Sequence, residues 1–153
     1  MTEQLAAPVG LELSRDYQQV AAILRHPAVY EMSSDDGAPP PEQIDPQQLP
    51  MLFLLVSCGD EVAGLFALHF HNAVMAEVYT CILPPFRGQP AALAASQLIA
   101  WAFANTACRK LITLVPAFNR GALRYARLAG FRREGVITNS FLKGGVLHDQ
   151  ILL

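Results

Sequence analysis

The chain has 153 residues, 52% hydrophobic and only 16% charged, which excludes a disordered or low-complexity protein. Its net charge is −2, yet residues 1–86 carry two arginines against eleven acids and residues 87–153 carry nine basic residues against two acids. A basic half suits an anion, whether a phosphorylated cofactor or a nucleic acid, or it only balances the acidic half in the fold.

Residues 1–5 hold an acid and no basic region ahead of an apolar stretch, so no secretory leader is expected. Ser14 is a candidate cap for a helix in which Tyr17, Val20, Ala21, Ile23 and Leu24 share a face, ending at Pro27. Residues 33–50 are rich in prolines and acids and read as a long irregular connection with a short helix near 42–48. Three strand-like segments follow, 51–58, 62–70 and 73–83, with turns at Gly59-Asp60 and His71-Asn72. They predict an antiparallel meander.

The period then changes. Pro90 fits a first helical turn, and residues 91–105 continue with Leu98, Trp101 and Ala102 at helical spacing. Ser96 and Gln97 interrupt this stretch, and it is shorter than the roughly 20 apolar residues of a membrane span. Residues 111–115 form a short apolar strand, and Asn119 caps a helix to Leu128 that Gly130 stops. Segments 135–141 and 146–153 flank Lys143-Gly144-Gly145 as a final hairpin. The strand–helix–strand passage from 73 to 115 predicts one parallel pair in a mostly antiparallel sheet, hence a mixed α+β fold with a ligand site where the parallel strands end. Cys58, Cys81 and Cys108 are odd in number and lack CxxC spacing, which points to a reducing cytoplasm.

Residues 82–92 take the chain from a strand end through a tight loop into a helix. Unpaired amides there, with the helix dipole, make an anion site. Gly88 permits close approach, Arg87 adds positive charge, and Ala91 and Ala92 leave room. Downstream stand Asn119 and Ala122, then Gly130-Phe131, Glu134-Gly135 and a tail from Ser140 to Asp149. Taken together, the loop and these motifs resemble the GNAT superfamily of acyl-CoA-dependent N-acetyltransferases. The resemblance covers most of the chain and is strongest over residues 73–149. With His26-Pro27-Ala28-Val29, it is nearest to the branch of ribosomal-protein N-terminal acetyltransferases and their phage-encoded relatives.

The resemblance implies one domain over residues 1–153, with a mostly antiparallel sheet flanked by helices and a parallel pair splayed around the cofactor. It implies acetyl transfer from acetyl-CoA to a primary amine by direct attack in a ternary complex. The amides of Arg87, Gly88, Gln89, Ala91 and Ala92 would cradle the diphosphate. Ile82 and Leu83 would offer backbone groups to the pantetheine and the acyl carbonyl, with an N–H there stabilising the oxyanion. Asn119 would bind the cofactor arm, and Arg120 and Arg124 the nucleotide phosphates. Two departures stand out. Pro90 replaces the usual second glycine and removes a donor. The position of the family's tyrosine acid is Ala126, while Tyr125 is rotated about 100° away on the helix.

An ammonium nucleophile must lose a proton before attack. Glu77, Tyr79 and Cys81 alternate on one face of the strand before the loop, and Glu77 is the only carboxylate there. Glu77 is the candidate base, or else a strand-end partner for an arginine. Tyr79 is a candidate substrate-orienting residue or plain sheet packing. His71 reads as a turn residue beside His69, Cys81 as a buried strand residue, and Trp101 as core. His148 and Asp149 make no metal site, and none is expected elsewhere. Acids at 31, 35, 36, 42 and 45 suggest a cationic acceptor, either a small amine or a protein N-terminus. Only two lysines and no interleaved aromatics argue against nucleic acid, nothing suggests a membrane, and a homo-oligomer is compatible. The rival reading is a catalytically silent binding or assembly protein on the same fold.

Overall fold

The computed structural model describes residues 6–153. The expectation about residues 1–5 lies outside the described residues. Among the described residues eight strands and four α-helices follow in this order: β1 Val9–Ser14, α1 Tyr17–Leu24, α2 Pro27–Ser33, β2 Leu52–Cys58, β3 Glu61–Phe70, β4 Met75–Ile82, α3 Gln89–Asn105, β5 Lys110–Ile112, β6 Leu114–Pro116, α4 Arg120–Leu128, β7 Gly135–Lys143 and β8 Val146–Leu152. One sheet has the order β1-β2-β3-β4-β5, and a second has the order β6-β8-β7. Every pairing is antiparallel except β4 with β5. The fold is therefore mixed α+β with one parallel pair, as the element order implies.

Three features correct the sequence reading. β1 forms an edge strand on β2, from Val9 opposite Cys58 to Ser14 opposite Phe53. Asp16, not Ser14, caps α1, its Oδ1 accepting from the Gln19 amide at 3.2 Å. Pro27 starts a second helix instead of ending the region, with His26 Nδ1 accepting from the Ala28 amide. The loop after α2 holds two single-turn 3-10 helices, Pro41–Gln43 and Pro46–Gln48, around the short helix expected there.

The larger sheet buries both faces. Leu54, Val56, Phe66, Leu68, Val78 and Ile82 pack against Ala91, Ala94, Leu98 and Ala102 of α3. The small residues at helical spacing let α3 lie close to the sheet. On the other face Phe53, Leu65, Ala67 and Cys81 meet Val20, Ile23 and Val29 of α1 and α2. Each large side chain buried in these layers contributes roughly 1.5–3 kcal/mol relative to exposure. Trp101 packs on the α3 side, as a core residue should. Among the described residues no helix is long and apolar enough to cross a membrane.

The expected strand 111–115 is two strands in different sheets. β5 pairs with β4 from Met75 opposite Lys110 to Glu77 opposite Ile112, and pairing stops there. β6 leaves to pair with β8, from Leu114 opposite Leu152. Thr113 sits at the parting and bridges it, its Oγ1 donating to the Val78 carbonyl at 3.1 Å. Beyond that bridge β4 and β5/β6 splay apart.

Candidate active site

The ladder between β3 and β4 decides which backbone groups face the splay. The Leu83 amide donates to Ala63 and the His71 amide to Met75. In an antiparallel ladder such pairs recur every second residue. Odd-numbered residues of β4 thus bond to β3, and even-numbered ones turn their N–H and C=O toward the gap. The Val78 carbonyl, taken by Thr113, fits this parity. Past it, Thr80 and the N–H of Ile82 face the opening.

This overturns the oxyanion role expected of Leu83, because its N–H is held in the sheet at 2.8 Å from the Ala63 oxygen. Ile82 keeps its N–H toward the gap, and Thr80 joins it. Sequence reasoning missed Thr80 because the parity depends on a register that alternation alone does not reveal.

The loop after β4 narrows the anion cradle in the same way. The Arg87 amide bonds to the Pro84 carbonyl at 3.3 Å and the Ala92 amide to Gly88 at 3.0 Å, so neither belongs to a cradle. The Arg87 side chain is exposed but tied to backbone carbonyls. Its Nε donates to the Ile82 carbonyl at 3.1 Å, and its guanidinium reaches toward Ala28 of α2. Arg87 thus braces the end of β4 while its exposed guanidinium keeps its positive charge beside the loop. The amides of Gly88, Gln89 and Ala91 take no carbonyl of the described residues. Gly88 caps α3 at φ +106°, a conformation that favours glycine, and a Cβ there would meet only open space. Three free amides at the start of a 17-residue helix, with open space over Gly88, suit a diphosphate.

Helix α4 closes this end. Asn119 caps it, its Oδ1 accepting from Ala122 at 3.1 Å, which leaves Nδ2 as the group free to donate. Arg120 and Arg124 are exposed. Tyr125 donates its hydroxyl to the Ala91 carbonyl at 2.8 Å, and burial pushes its phenol up to about 12. It fastens α4 to the first turn of α3. Ala126 is buried with Val115, Ile151 and Leu153, so that position presents no acid.

Glu77 is the one buried charged residue of the described chain, 6% exposed, at the last rung before the splay. Its partner is not an arginine but His71, whose Nε2 lies 2.8 Å from Oε2. His71 is thus more than a turn residue. Tyr79, on the same face, has its phenol pushed up to about 12 by burial and then by the Glu77 carboxylate beside it. It remains a neutral donor at ordinary pH. Burial likewise pushes the Cys81 thiol up to about 12, which keeps it from being a nucleophile. His148 stacks edge-on against Phe118, and Asp149 accepts from the Asn139 amide, so both are structural.

The acidic loop meets the final hairpin. Asp36 accepts from the amides of Gly144 and Gly145 at 2.8 Å each. Lys143 donates to the carbonyls of Glu31 and Ser34. Tyr30, Glu31, Ser34, Asp35, Asp36 and Lys143 line an open cleft of about 470 Å³.

A family model described as "Protein of unknown function (DUF2824)" matches residues 13–151. The chain belongs to the DUF2824 family. No curated protein matches this DUF2824 chain in sequence. Solved structures do match it in shape. A spermidine N-acetyltransferase from Vibrio cholerae, in complex with CoA and spermine, aligns with a TM-score of 0.77 at 16% identity over 95% of this chain and 94% of that one. A ribosomal-protein-S5-alanine acetyltransferase from Vibrio fischeri gives 0.74 at 14% identity over 94% and 90%. A GNAT-family acetyltransferase from Streptococcus pneumoniae gives 0.74 at 16% over 95% and 97%. The DUF2824 chain therefore has the GNAT fold.

Proposed function

We propose that residues 1–153 act as one acyl-CoA N-acyltransferase domain that moves an acetyl group from acetyl-CoA to a primary amine. The observation that carries this reading is the parting of β4 from β5 directly after Glu77, which leaves the Thr80 and Ile82 backbone facing a gap that leads to the free amides of Gly88, Gln89 and Ala91. The amides would hold the diphosphate. Asn119 Nδ2 would donate to the cofactor arm, and Arg120 and Arg124 would approach the nucleotide phosphates. The bound cofactor supplies the thioester. The N–H of Ile82 or Thr80 would donate to its carbonyl oxygen as negative charge develops there.

Glu77 would accept the proton that the amine loses. Three residues of strand separate it from Thr80, about 10 Å, so the proton would travel through ordered water. Tyr79 would hold the carboxylate in place, and His71 would pass the proton on to solvent. The amine nitrogen would bond to the carbonyl carbon and shed its second proton to water, the carbon–sulfur bond would break, and the sulfur would leave as thiolate without a dedicated acid, since Tyr125 is engaged and Ala126 is buried. The acceptor would be a small amine or a protein N-terminus, the latter in keeping with the resemblance to ribosomal-protein acetyltransferases. It would enter by the cleft between α2 and the β7–β8 turn. Three free cysteines suit a cytoplasmic setting.

Calorimetric titration with acetyl-CoA, with CoA and ADP as controls, tests the cofactor site. Micromolar binding is expected. Glu77→Gln should keep that binding and lower kcat by about 10²–10⁴-fold in an amine-acceptor screen, the range typical of a general base. No binding at millimolar acetyl-CoA would reject the transferase reading. Binding without turnover would leave the catalytically silent reading, which the missing acid favours.

A further inference from the structure

The hairpin from β3 to β4 gathers three metal-binding side chains. His69 and Glu77 are directly opposite in the ladder, so their side chains leave the same face of the sheet. His71 follows two residues after His69 and reaches back, its Nε2 2.8 Å from Glu77 Oε2. The two imidazole rings are 4.8 Å apart between centroids. One donor atom from each of the three residues lies within 4.8 Å of the other two. We propose that His69, His71 and Glu77 form a binding site for a divalent late first-row metal ion, with Zn²⁺ as the fitting occupant.

Two imidazoles and a carboxylate are a zinc donor set. Zinc bonds of about 2.0–2.1 Å in a tetrahedron place donors about 3.3 Å apart, between the shortest and longest separations found here. His71 is the most exposed of the three and has room to make the small shift that closes the set. The scaffold is stiff. Glu77 and His69 stand on neighbouring strands of the larger sheet, and Asn72 Oδ1 accepts from both the Val74 and Met75 amides at 3.0 Å to fix the turn. The solvent side of His71 leaves a fourth position for water. Mg²⁺ and Ca²⁺ prefer oxygen ligands and fit poorly. A metal bound here occupies the Glu77 carboxylate, so metal binding and base action exclude each other. That consequence, unlike the site itself, rests on the function proposed above.

The test uses the full chain stripped with a chelator and titrated with Co²⁺. One equivalent should produce visible ligand-field absorption, which Zn²⁺ abolishes and Mg²⁺ does not. His69→Asn and His71→Asn should each weaken Zn²⁺ binding by more than the roughly 10–100-fold that loss of an outer partner costs. Cys58→Ser, the most accessible thiol, should leave it unchanged. Absence of absorption at millimolar Co²⁺, or affinity untouched in both histidine variants, overturns the site. In the transferase assay Zn²⁺ should inhibit the wild type, and His69→Asn should need correspondingly more. Tight binding with full turnover would support the site and remove Glu77 from the role of base.

Discussion

At the scale of single residues, Gly64 governs the end of β4. It lies opposite Ile82 at φ +150°, where the β2–β3 register shifts. A Cβ there would fall 2.2 Å from the Cys81 carbonyl oxygen and 2.8 Å from the Ile82 Cα. Both are backbone atoms and cannot swing aside. Gly64→Ala should cost about 2–3 kcal/mol, the scale of overpacking a filled core, read as a lower urea midpoint with unchanged slope. Acetyl-CoA affinity should fall with it, because displacing Ile82 moves an N–H that faces the gap. An unchanged midpoint would show that β4 yields more easily than its two buried faces suggest. Strand alternation made Glu77 legible in the sequence as the lone carboxylate on its face. The direction of Arg87 was not legible. A basic residue in a tight loop does not announce which carbonyl it will brace, here that of Ile82, until the strand end is placed in space.

Among the elements, the β7–β8 hairpin and the loop after α2 hold each other. The amides of Gly144 and Gly145 keep the Asp36 carboxyl below its ordinary value of 3.8. A depressed folded pKa stabilises fully above the ordinary value and is lost as pH falls through the lower folded value. The melting temperature of Asp36→Asn should therefore lie below wild type at neutral pH, and the gap should close only as pH drops below about 4. A difference that persists undiminished in strong acid would show that Asp36 acts by packing. Three elements escaped the sequence. β1 is a half-buried edge strand whose alternation is short. α2 begins at a proline that reads equally well as a stop. The change of sheet at Thr113 leaves no mark on an apolar run, because both of its halves are strands.

Across the whole molecule, the meander, α3 and the final hairpin were legible because each is long and bounded by turn residues. The division of charge is also organised in space. Four strands of the larger sheet come from the acidic part of the chain, whereas the smaller sheet and α4 come wholly from the basic part. Among the described residues one ion pair joins the two parts, Lys143 with Glu31 at 3.6 Å. Lys110 pairs with Glu134 within the basic part. Arg120, Arg124, Arg127, Arg132 and Arg133 remain at the surface and enter no ion pair among the described residues.

The parity of β4 also has a clock. Tyr79, Cys81 and Leu83 have their amides locked to β3, while Thr80 and Ile82 have theirs turned to the open gap. In deuterium oxide, residue-resolved NMR should find alternate amides of this one strand exchanging on two timescales: fast at 80 and 82, and near the global unfolding rate at 79, 81 and 83. Uniform protection along the strand would mean that the gap is closed in solution. A ligand seated there should slow the two fast amides and leave their neighbours as they were, reporting occupancy before any acceptor is known.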